Sequence, residues 1–383
     1  MISEWKKVKI SDVCIFNANT YSSKDHWEFV NYLDTGNITE NKIDSIQYIN
    51  LNKDKLPSRA KRKVKLNSII YSTVRPNQKH FGFIKSYPEN FLVSTGFTVI
   101  DVDENLINAK FLYYNLIKDN IITYLQTIAE HTTTAYPSIK PSDIGELEIN
   151  IPDLGTQKKI AKILSSLDDK IELNQRINEN LEKQAQAIYD FMFIKNVKSK
   201  WKIGTLSDIV NIKYGKDHKK LKDGTYPVYG SGGIMRYVER ALYDKESVLI
   251  PRKGTLNNVL YVKVPFWSVD TMFYTEMKYP NVAKFVFHFL KNIDLELMNV
   301  GTAVPSMTTF ILDRLQLRLP DDKTLAKFET IVSPLYELII ANRLESKQLA
   351  ELRDTLLPRL MSGELDVSNV ELKFKSNSHL FSD

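Results

Sequence analysis

Two polar segments of the chain follow apolar runs and are dense in hydrogen-bond donors. The first extends from Tyr71 to His80 and contains Ser72, Thr73, Arg75, Asn77 and Lys79. The second extends from Ile250 to Asn258 and contains Arg252, Lys253 and Asn257. Hydroxyl, amide and cationic groups suit contacts with phosphates, and Arg, Asn and Gln also suit base edges. The pattern predicts two loops that bind nucleic acid, with a solvated polar turn as the alternative for each loop.

A basic run lies upstream of the first loop and supplies further positive charge. It holds a single acid, Asp54, among Lys53, Lys55, Arg59, Lys61, Arg62, Lys63 and Lys65. Such a run can grip backbone phosphates, or it can be an ordinary solvated face. The whole chain carries a formal net charge of +6, which permits a polyanionic partner without requiring one.

Catalytic motifs are absent, apart from one pattern that imitates a metal-dependent nuclease. Pro152-Asp153 followed by Asp168 and Lys170 resembles an Asp…Asp-x-Lys arrangement. A nuclease needs its carboxylates to converge on one metal, whereas Asp168 and Lys170 are expected on a long helix, pointing away from its apolar seam. The sequence contains no phosphate-binding G-x-x-x-x-G-K motif, no G-x-S-x-G motif and no Pro-Pro dipeptide. We therefore expect no catalysis by this chain, with an intrinsic nuclease as the rival hypothesis.

Composition indicates an intracellular protein without a metal or cofactor of its own. Cys14 is the single cysteine, and the six histidines are scattered, so neither a disulfide nor a metal cluster is expected. No apolar stretch approaches the roughly 20 residues of a membrane span. A cytoplasmic location is expected.

The chain repeats itself. Trp5 to Val13 matches Trp201 to Ile209, with a Trp, spaced apolar residues and Ser-Asp before an aliphatic residue. A second match joins Ala135 to Pro152 with Ala303 to Pro320, each containing Pro-Ser and ending in an apolar run with Pro. The repeat predicts two variable units, each followed by a constant part.

The constant parts have the apolar spacing of long helices. Their predicted seam residues are Ile160, Leu164, Leu167, Ile171, Asn174 and Leu181 in the first helix, and Val332, Leu335, Ile339, Asn342 and Leu349 in the second. Asn174 and Asn342 hold the same seam position, where a buried amide can define the register. Pro334 predicts a kink or a late start in the second helix. A helix of about 35 residues spans about 50 Å, more than a domain face, so we expect the two helices to pair with each other. Because the two copies are joined in tandem by the variable units, the simplest pairing is antiparallel.

The predicted fold is α+β: two small mixed domains separated by two long helices packed as an antiparallel coiled coil, with pseudo-twofold symmetry. Residues 1–151 form the first domain, 152–196 the first spacer helix, 197–320 the second domain and 321–366 the second spacer helix. Residues 367–383 show no helical period and are expected to be a loose C-terminal tail. Strands are predicted around Ser68–Ser72, Phe97–Ile100 and Ser247–Ile250, and helices at Ala109–Gln126 and Val282–Asn292.

These motifs in this order resemble the specificity subunit of Type I restriction-modification systems over almost the whole chain. The segments that carry the resemblance include Trp5 to Val13, Ser72-Thr73-Val74-Arg75-Pro76, Ile151-Pro152 with Gln157-Lys158-Lys159-Ile160, Tyr226 to Gly233, Pro251 to Thr255, Phe266-Trp267 with Asp270-Thr271, and Leu357 to Leu365. The family usually has Gln near the start of each helix. Gln157 fits this pattern, but Leu325 stands at the matching place in the second copy.

The resemblance implies that each variable unit is a target recognition domain that reads one half of a split, asymmetric site in double-stranded DNA. Ser72, Arg75, Asn77 and Lys79 would serve one half, and Ser231, Arg252, Lys253 and Asn257 the other. It further implies that the helices dock two methyltransferase subunits, which use S-adenosylmethionine, and that motor and endonuclease subunits supply ATP- and Mg-dependent cleavage. The alternative from another class is a scaffold or decoy subunit that never reads DNA.

Overall fold

The computed structural model describes residues 5–131, 137–301 and 304–370, and its contacts divide them into two units. Described residues up to Glu172 and from Glu345 onward form the first unit, and Leu173–Leu344 form the second. Two long helices, α4 and α8 as defined below, each begin in one unit and end in the other. The repeat segments that include Ala135, Tyr136 and Ala303 fall partly outside the described residues.

The first unit contains twelve strands and the first three helices. The strands are β1 (Lys6–Lys9), β2 (Cys14–Phe16), β3 (Phe29–Leu33), β4 (Ile38–Thr39), β5 (Lys42–Ile43), β6 (Gln47–Asn50), β7 (Ala60–Arg62), β8 (Ile69–Ser72), β9 (Phe81–Phe83), β10 (Phe91–Ser94), β11 (Phe97–Val102) and β12 (Glu148–Ile151). The helices are α1 (Ala109–Leu116), α2 (Asp119–Glu130) and α3 (Pro141–Gly145). The larger sheets have strand orders β6-β3-β10-β7 and β2-β11-β8-β9.

Long helix α4 (Leu154–Tyr189) follows β12 and ends in a π-helical turn, Asp190–Lys195. The second unit then contains β13 (Lys202–Thr205), α5 (Leu206–Ile209), β14 (Val210–Tyr214), β15 (Asp223–Gly230), β16 (Gly233–Val238), β17 (Ser247–Pro251), β18 (Leu260–Val262), β19 (Trp267–Ser268), β20 (Met272–Met277), α6 (Ala283–Lys291), α7 (Thr309–Asp313) and β21 (Gln316–Leu319). Long helix α8 (Asp322–Met361) begins in the second unit and ends in the first. Its sheets have orders β14-β20-β17-β18 and β16-β15-β19.

The repeat is visible in the topology. In each unit the strand after the tryptophan pairs antiparallel with the strand that precedes a long helix, β1 with β12 and β13 with β21. The sheets β2-β11-β8-β9 and β14-β20-β17-β18 have the same topology, because within each unit the first, last, second and third of these strands along the chain lie side by side in the sheet. Their central strands β8 and β17 are fully buried, as apolar runs in the middle of a sheet should be. The second sheets differ, so each unit combines a shared frame with a variable part.

The two long helices pack antiparallel within each unit. In the first unit Asp168 pairs with Arg353 and Lys170 with Glu345. In the second, the amide of Asn174 contacts Asn342, and farther along, the rings of Phe193 and Phe328 lie 5.0 Å apart. Along these contacts the residue numbers increase on α4 while they decrease on α8, as antiparallel packing requires. The predicted α+β class with antiparallel long helices is therefore confirmed.

The predicted seam side chains are all buried or half-buried. Ile160, Leu164, Asn174, Leu181, Val332, Ile339 and Asn342 are buried, and Leu167, Ile171, Leu335 and Leu349 are half-buried. The apolar side chains among them pack in the hydrophobic cores of their units. Ile160 and Leu164 pack in the cluster that contains Leu357, and Val332 and Ile339 pack with Tyr189.

Aspartate caps explain where the long helices begin. Asp153 accepts hydrogen bonds from the amide and hydroxyl of Thr156, at 3.0 and 2.7 Å. Asp321 accepts the same pair from Thr324, at 3.0 and 2.9 Å. A side chain that satisfies the first free amides defines the start of a helix. Because this cap stands at Asp321, the late start predicted from Pro334 is wrong.

Two sequence-based boundaries need correction. The helix predicted across Ala109–Gln126 is two helices, because Lys118 adopts an extended conformation before α2. The tail predicted to be loose from Val367 is ordered at its beginning, where the Val367 side chain is buried in the core of the first unit. The remainder of that tail, residues 371–383, lies outside the described residues. None of the helices described combines the length and apolar content that a membrane span requires.

Candidate nucleic-acid interface

The first donor-rich loop leaves the end of β8 and is held by backbone pairing. The amide of Arg75 donates to the carbonyl of Pro137 at 3.0 Å, and the amide of Ile139 donates to the carbonyl of Thr73 at 2.8 Å. Pro76 is buried beneath the loop. Arg75 and Asn77 are exposed on it. The loop therefore presents these two side chains from a fixed backbone.

Three other predicted donors of this loop are less exposed than Arg75 and Asn77. The hydroxyl of Ser72 bonds the backbone of Val74, and that of Thr73 donates to the carbonyl of Gly96 at 2.9 Å. The Lys79 ammonium lies 2.9 Å from Glu40, and this hydrogen bond raises the pKa of Lys79. These three side chains shape the loop, and Arg75 and Asn77 are its outward groups.

The second loop has the same backbone frame. The amide of Gly254 donates to the carbonyl of Pro305 at 3.1 Å, and the amide of Met307 donates to the carbonyl of Arg252 at 2.9 Å. By these hydrogen bonds, Arg252 corresponds to Thr73 of the first loop, and Gly254 corresponds to Arg75. The sequence indicated two similar loops. Only this long-range pairing with the Pro-Ser segments shows which residues correspond.

Side chains of the second loop also divide into two groups. Lys253 is exposed. Arg252 packs over the Tyr214 ring, 5.4 Å from its centre, and donates to the carbonyl of Asp270 at 3.1 Å. Asn257 donates to Asp294 at 2.9 Å and accepts from the amide of Leu295 at 2.7 Å. Lys253 is thus the outward group, whereas Arg252 and Asn257 brace the loop.

Ser231 lies beside the second loop. A methyl group built on Gly254 would stand 3.2 Å from the Ser231 hydroxyl, and the carbonyl of Ser231 accepts a hydrogen bond from Asn258 at 2.6 Å. The turn between β15 and β16 is therefore part of the same surface. Gly254 has a φ of +89°, so it tolerates both the close approach and the left-handed backbone.

The basic run upstream of the first loop remains largely solvent-exposed. Lys53, Lys55, Arg59, Lys61 and Lys65 are exposed, whereas Arg62 is half-buried and burial lowers its pKa. Lys63 forms an ion pair with Asp25 and lies over the Trp27 ring, 5.2 Å from its centre. Five cations thus remain on the surface for a polyanion.

The carboxylates of the nuclease-like pattern have structural partners. Asp153 is the cap of α4 described above. Asp168 accepts a hydrogen bond from the Tyr114 hydroxyl at 2.5 Å and pairs with Arg353 at 2.8 Å. Lys170 lies 3.2 Å from Glu345. The expectation that Asp168 and Lys170 point away from the seam is wrong, because both reach across to α8.

In the first unit, Asp168 joins α4 to Tyr114 and to Arg353 of α8. The second unit makes the corresponding connection between its long helices and α6 with different side chains. His288 on α6 bonds the Tyr336 hydroxyl of α8 at 2.8 Å and Gln186 of α4 at 2.7 Å. Burial lowers the pKa of His288 to about 4, so its ring is neutral at pH 7. The neutral ring accepts from Tyr336 through Nε2 and donates to Gln186 through Nδ1. The sequence offered no signal for these anchors beyond the helical pattern.

Lys284 adds a second buried connection between α6 and α8. Its ammonium is almost fully buried and lies 2.6 Å from Glu329 and 3.0 Å from Glu246. A buried ammonium requires such acceptors, since an unpaired one would cost several kcal/mol. Glu329 thereby joins α6 to the long helix α8, and Glu246 joins α6 to the segment that precedes β17.

The glutamine expected near each helix start is a structural residue in the first unit. Gln157 is buried, accepts from the amide of Asn108 at 2.8 Å and donates to the carbonyl of Pro152 at 2.8 Å. Leu325 replaces it in the second unit and packs in the apolar core. The two helices are thus joined to their units in different ways. Within residues 5–131, 137–301 and 304–370, no three His, Cys, Asp or Glu side chains are grouped to hold a metal ion.

The amino-acid sequence is similar to a known protein family and to individual proteins of that family. Residues 2–183 and 198–354 match the family described as the Type I restriction modification DNA specificity domain. The specificity subunit of the Type I restriction enzyme HindI from Haemophilus influenzae is 26% identical and aligns with 95% of this chain and 100% of its own length. The MjaIX specificity subunit of Methanocaldococcus jannaschii is 24% identical, with 96% and 95% covered.

A solved structure shares the fold. The crystal structure of a Type I restriction-modification S subunit from M. genitalium has a TM-score of 0.59 and 20% identity, and the alignment covers 94% of this chain and 96% of that chain. At this identity the likeness concerns the architecture alone.

Proposed function

The chain belongs to the Type I restriction-modification DNA specificity family and is a DNA-specificity subunit, and from this premise we propose that each of its units reads one half of a split DNA site. The observation that carries the proposal is the matched pair of loops. Each is hydrogen-bonded to a Pro-Ser segment in the same way, yet Arg75 and Asn77 face outward from one and Lys253 from the other.

The differences between the loops support an asymmetric target. Base edges in the major groove present distinct donor and acceptor patterns, which different side chains read differently. Arg75 carries a planar, five-donor guanidinium, whereas Gly254 at the same backbone position has no side chain. The two half-sites should therefore differ in sequence.

The exposed cations support binding to the DNA backbone. Lys53, Lys55, Arg59, Lys61 and Lys65 would contact phosphates near the first half-site, independent of base sequence. Such contacts position the protein, and the loops select the bases.

The long helices would dock two methyltransferase subunits and set the number of base pairs between the half-sites. Exposed apolar side chains on both helices support docking, for example Leu173, Leu344 and Leu352. In this proposal the chain itself is non-catalytic and acts in the cytoplasm. The methyltransferase subunits supply adenine methylation with S-adenosylmethionine, and motor subunits, two in number, supply ATP- and Mg-dependent cleavage.

The test is sequence-dependent DNA retention. The chain is co-expressed with its methyltransferase subunit, and duplexes from a random pool are retained on the purified complex at fixed salt over competitor DNA. A split, asymmetric motif should be enriched. Retention of all sequences alike, with the complex intact, would instead identify a scaffold or decoy subunit.

A further inference from the structure

An open apolar groove lies on the second unit between the end of α4 and the beginning of α8. Its volume is about 370 Å³, and it is lined by Ala187, Ile188, Phe191, Met192, Lys327 and Ile331. Phe191 is 61% exposed and Ile331 41% exposed. Adjacent exposed apolar side chains are typical of interaction sites.

The internal repeat identifies the counterpart of this groove in the first unit. The pairs Ile160 and Phe328, and Asn174 and Asn342, have the same separation in sequence. At that separation, Lys327 corresponds to Lys159 and Phe191 to Arg359.

In the first unit the chain itself covers the counterpart surface. Arg359 pairs with Glu364 at 2.7 Å, and the carbonyl of Arg359 accepts from the amide of Leu365 at 3.2 Å. Lys159 donates to the carbonyl of Ser368 at 2.5 Å. The segment from Glu364 to Ser368 therefore lies across this surface, from Arg359 to Lys159. Between these anchors, Leu365 and Val367 pack into the core.

The corresponding segment of the second unit does not cover its groove. Ser199 stands where the first unit has Val367, and it is polar and exposed. Lys198, the counterpart of Asp366, turns to the cap of α8, where its ammonium donates to Thr324 at 2.8 Å. Phe191 and Ile331 are consequently left exposed.

Charge indicates the kind of segment that fits. The covering segment of the first unit is apolar and acidic, with Glu364 and Asp366 alternating with Leu365 and Val367. It faces the cations Arg359 and Lys159. The open groove offers apolar walls and Lys327 in the place of Lys159, so a segment with the same alternation would complement it.

We propose that this groove binds a short segment of the methyltransferase subunit in which two apolar side chains, two residues apart, alternate with acidic residues. The inference rests on the proposed docking of methyltransferase subunits and adds where and by what chemistry one of them is held. The first unit offers no equivalent open groove, because Leu365 and Val367 cover it. The two methyltransferase subunits are thus held unequally.

The experiment measures assembly of the full chain with its methyltransferase subunit. Ile331→Asp should weaken assembly by about tenfold or more, because a buried carboxylate would replace an apolar contact. Phe191→Arg, which installs the residue found at position 359, should act in the same direction. Val264→Asp, at a comparably exposed residue of the second unit outside the groove and outside both long helices, should leave assembly unchanged.

A peptide provides a direct probe. A hexapeptide that copies residues 363–368, Gly-Glu-Leu-Asp-Val-Ser, should bind the full chain, and binding should be lost with Ile331→Asp or with serines in place of its Leu and Val. Wild-type assembly by both groove variants, with unchanged peptide binding, would overturn the inference. That outcome would leave the proposed function intact if DNA retention stayed sequence-dependent, whereas loss of sequence dependence in the wild type would contradict the function itself.

Discussion

Arg75 and Gly254 occupy the same backbone position in their units, and both have a positive φ, 46° and 89° respectively. Glycine adopts this conformation freely, whereas a side chain there costs about 1 kcal/mol or more. The first unit therefore has an arginine at a position where the second unit forms the same backbone conformation with a glycine. Proteins keep such strain mainly at functional sites.

Replacing Arg75 with Gly should separate recognition from folding. Relief of the left-handed backbone should favour folding of the variant by about 1 kcal/mol. Base discrimination in the first half-site should fall by about 1–3 kcal/mol if the guanidinium contacts a base edge. Methylome sequencing of cells that carry the variant, together with chemical denaturation of the protein, measures both effects.

The comparison for this prediction is Lys253→Ala, which should affect the second half-site alone. A changed second half-site in the Arg75 variant would contradict the assignment of this loop to the first.

Asp168→Asn should destabilise the first unit. The asparagine can still accept from Tyr114, but Arg353, about a quarter exposed, loses one of its two anionic partners and keeps Asp354. The expected loss in unfolding free energy is about 1–3 kcal/mol. Urea denaturation measures it. Lys170→Ala, which removes the more exposed ion pair with Glu345, should cost less than about 1 kcal/mol.

A second substitution at the same residue, Asp168→Ala, addresses the rival nuclease hypothesis. The wild-type chain, purified alone with magnesium, should leave DNA uncut. Cutting that disappears in Asp168→Ala would refute the structural role assigned to this carboxylate.

Stability of the second unit should depend on the protonation of His288. The folded pKa is lowered to about 4, below the usual value of about 6.5, so the unfolded chain takes up a proton first as the pH falls. The stabilisation is therefore complete above pH about 6.5 and is lost as the pH falls toward 4, by roughly 2–3 kcal/mol. Unfolding free energies across this range in wild type and His288→Gln measure the histidine contribution by difference.

His288→Gln should show a shallower pH dependence than the wild type. Equal slopes in the two proteins would show that the His288 site does not carry the effect.

Asn342 and Asn178 should be energetically coupled. The Asn342 amide donates to the Asn178 carbonyl oxygen at 2.9 Å in a buried seam. Asn342→Leu alone should cost about 1–3 kcal/mol, because Asn178 loses its partner. Adding Asn178→Leu should recover much of that cost, since two apolar residues suit the seam. Denaturation of the two single variants and the double variant measures the coupling energy.

Four residues inserted between Glu172 and Gln184 in α4, with a matched insertion in α8, should lengthen the gap in the recognised DNA. The match is needed because the contacts of Asn174 and Asn178 with Asn342 hold the register of the two helices. Four residues add about 6 Å of helix, close to two base pairs at about 3.4 Å each. The methylated motif should show the longer gap with unchanged half-sites, and an unchanged gap would refute the spacer role.

The sequence alone was enough to locate the repeat, the long helices and the two donor-rich loops. Each depends on local pattern: the spacing of Ile160, Leu164 and their successors, the burial of apolar runs such as β8, and the polar residues that follow them. Pairing of the two helices also followed, because a helix much longer than a domain needs an apolar partner along its length.

Tertiary structure decided which side chains in those loops face outward and which brace the fold. Lys79 and Arg252 resemble Arg75 and Lys253 in type, but they are half-buried against groups of other segments, Glu40 and Asp270. The anchor of Asp168 on Tyr114 and Arg353 likewise joins three separate parts of the chain. A sequence pattern shows which chemical groups a residue carries. Whether such a group bonds within the protein or faces solvent is decided only when segments that are distant in sequence pack together.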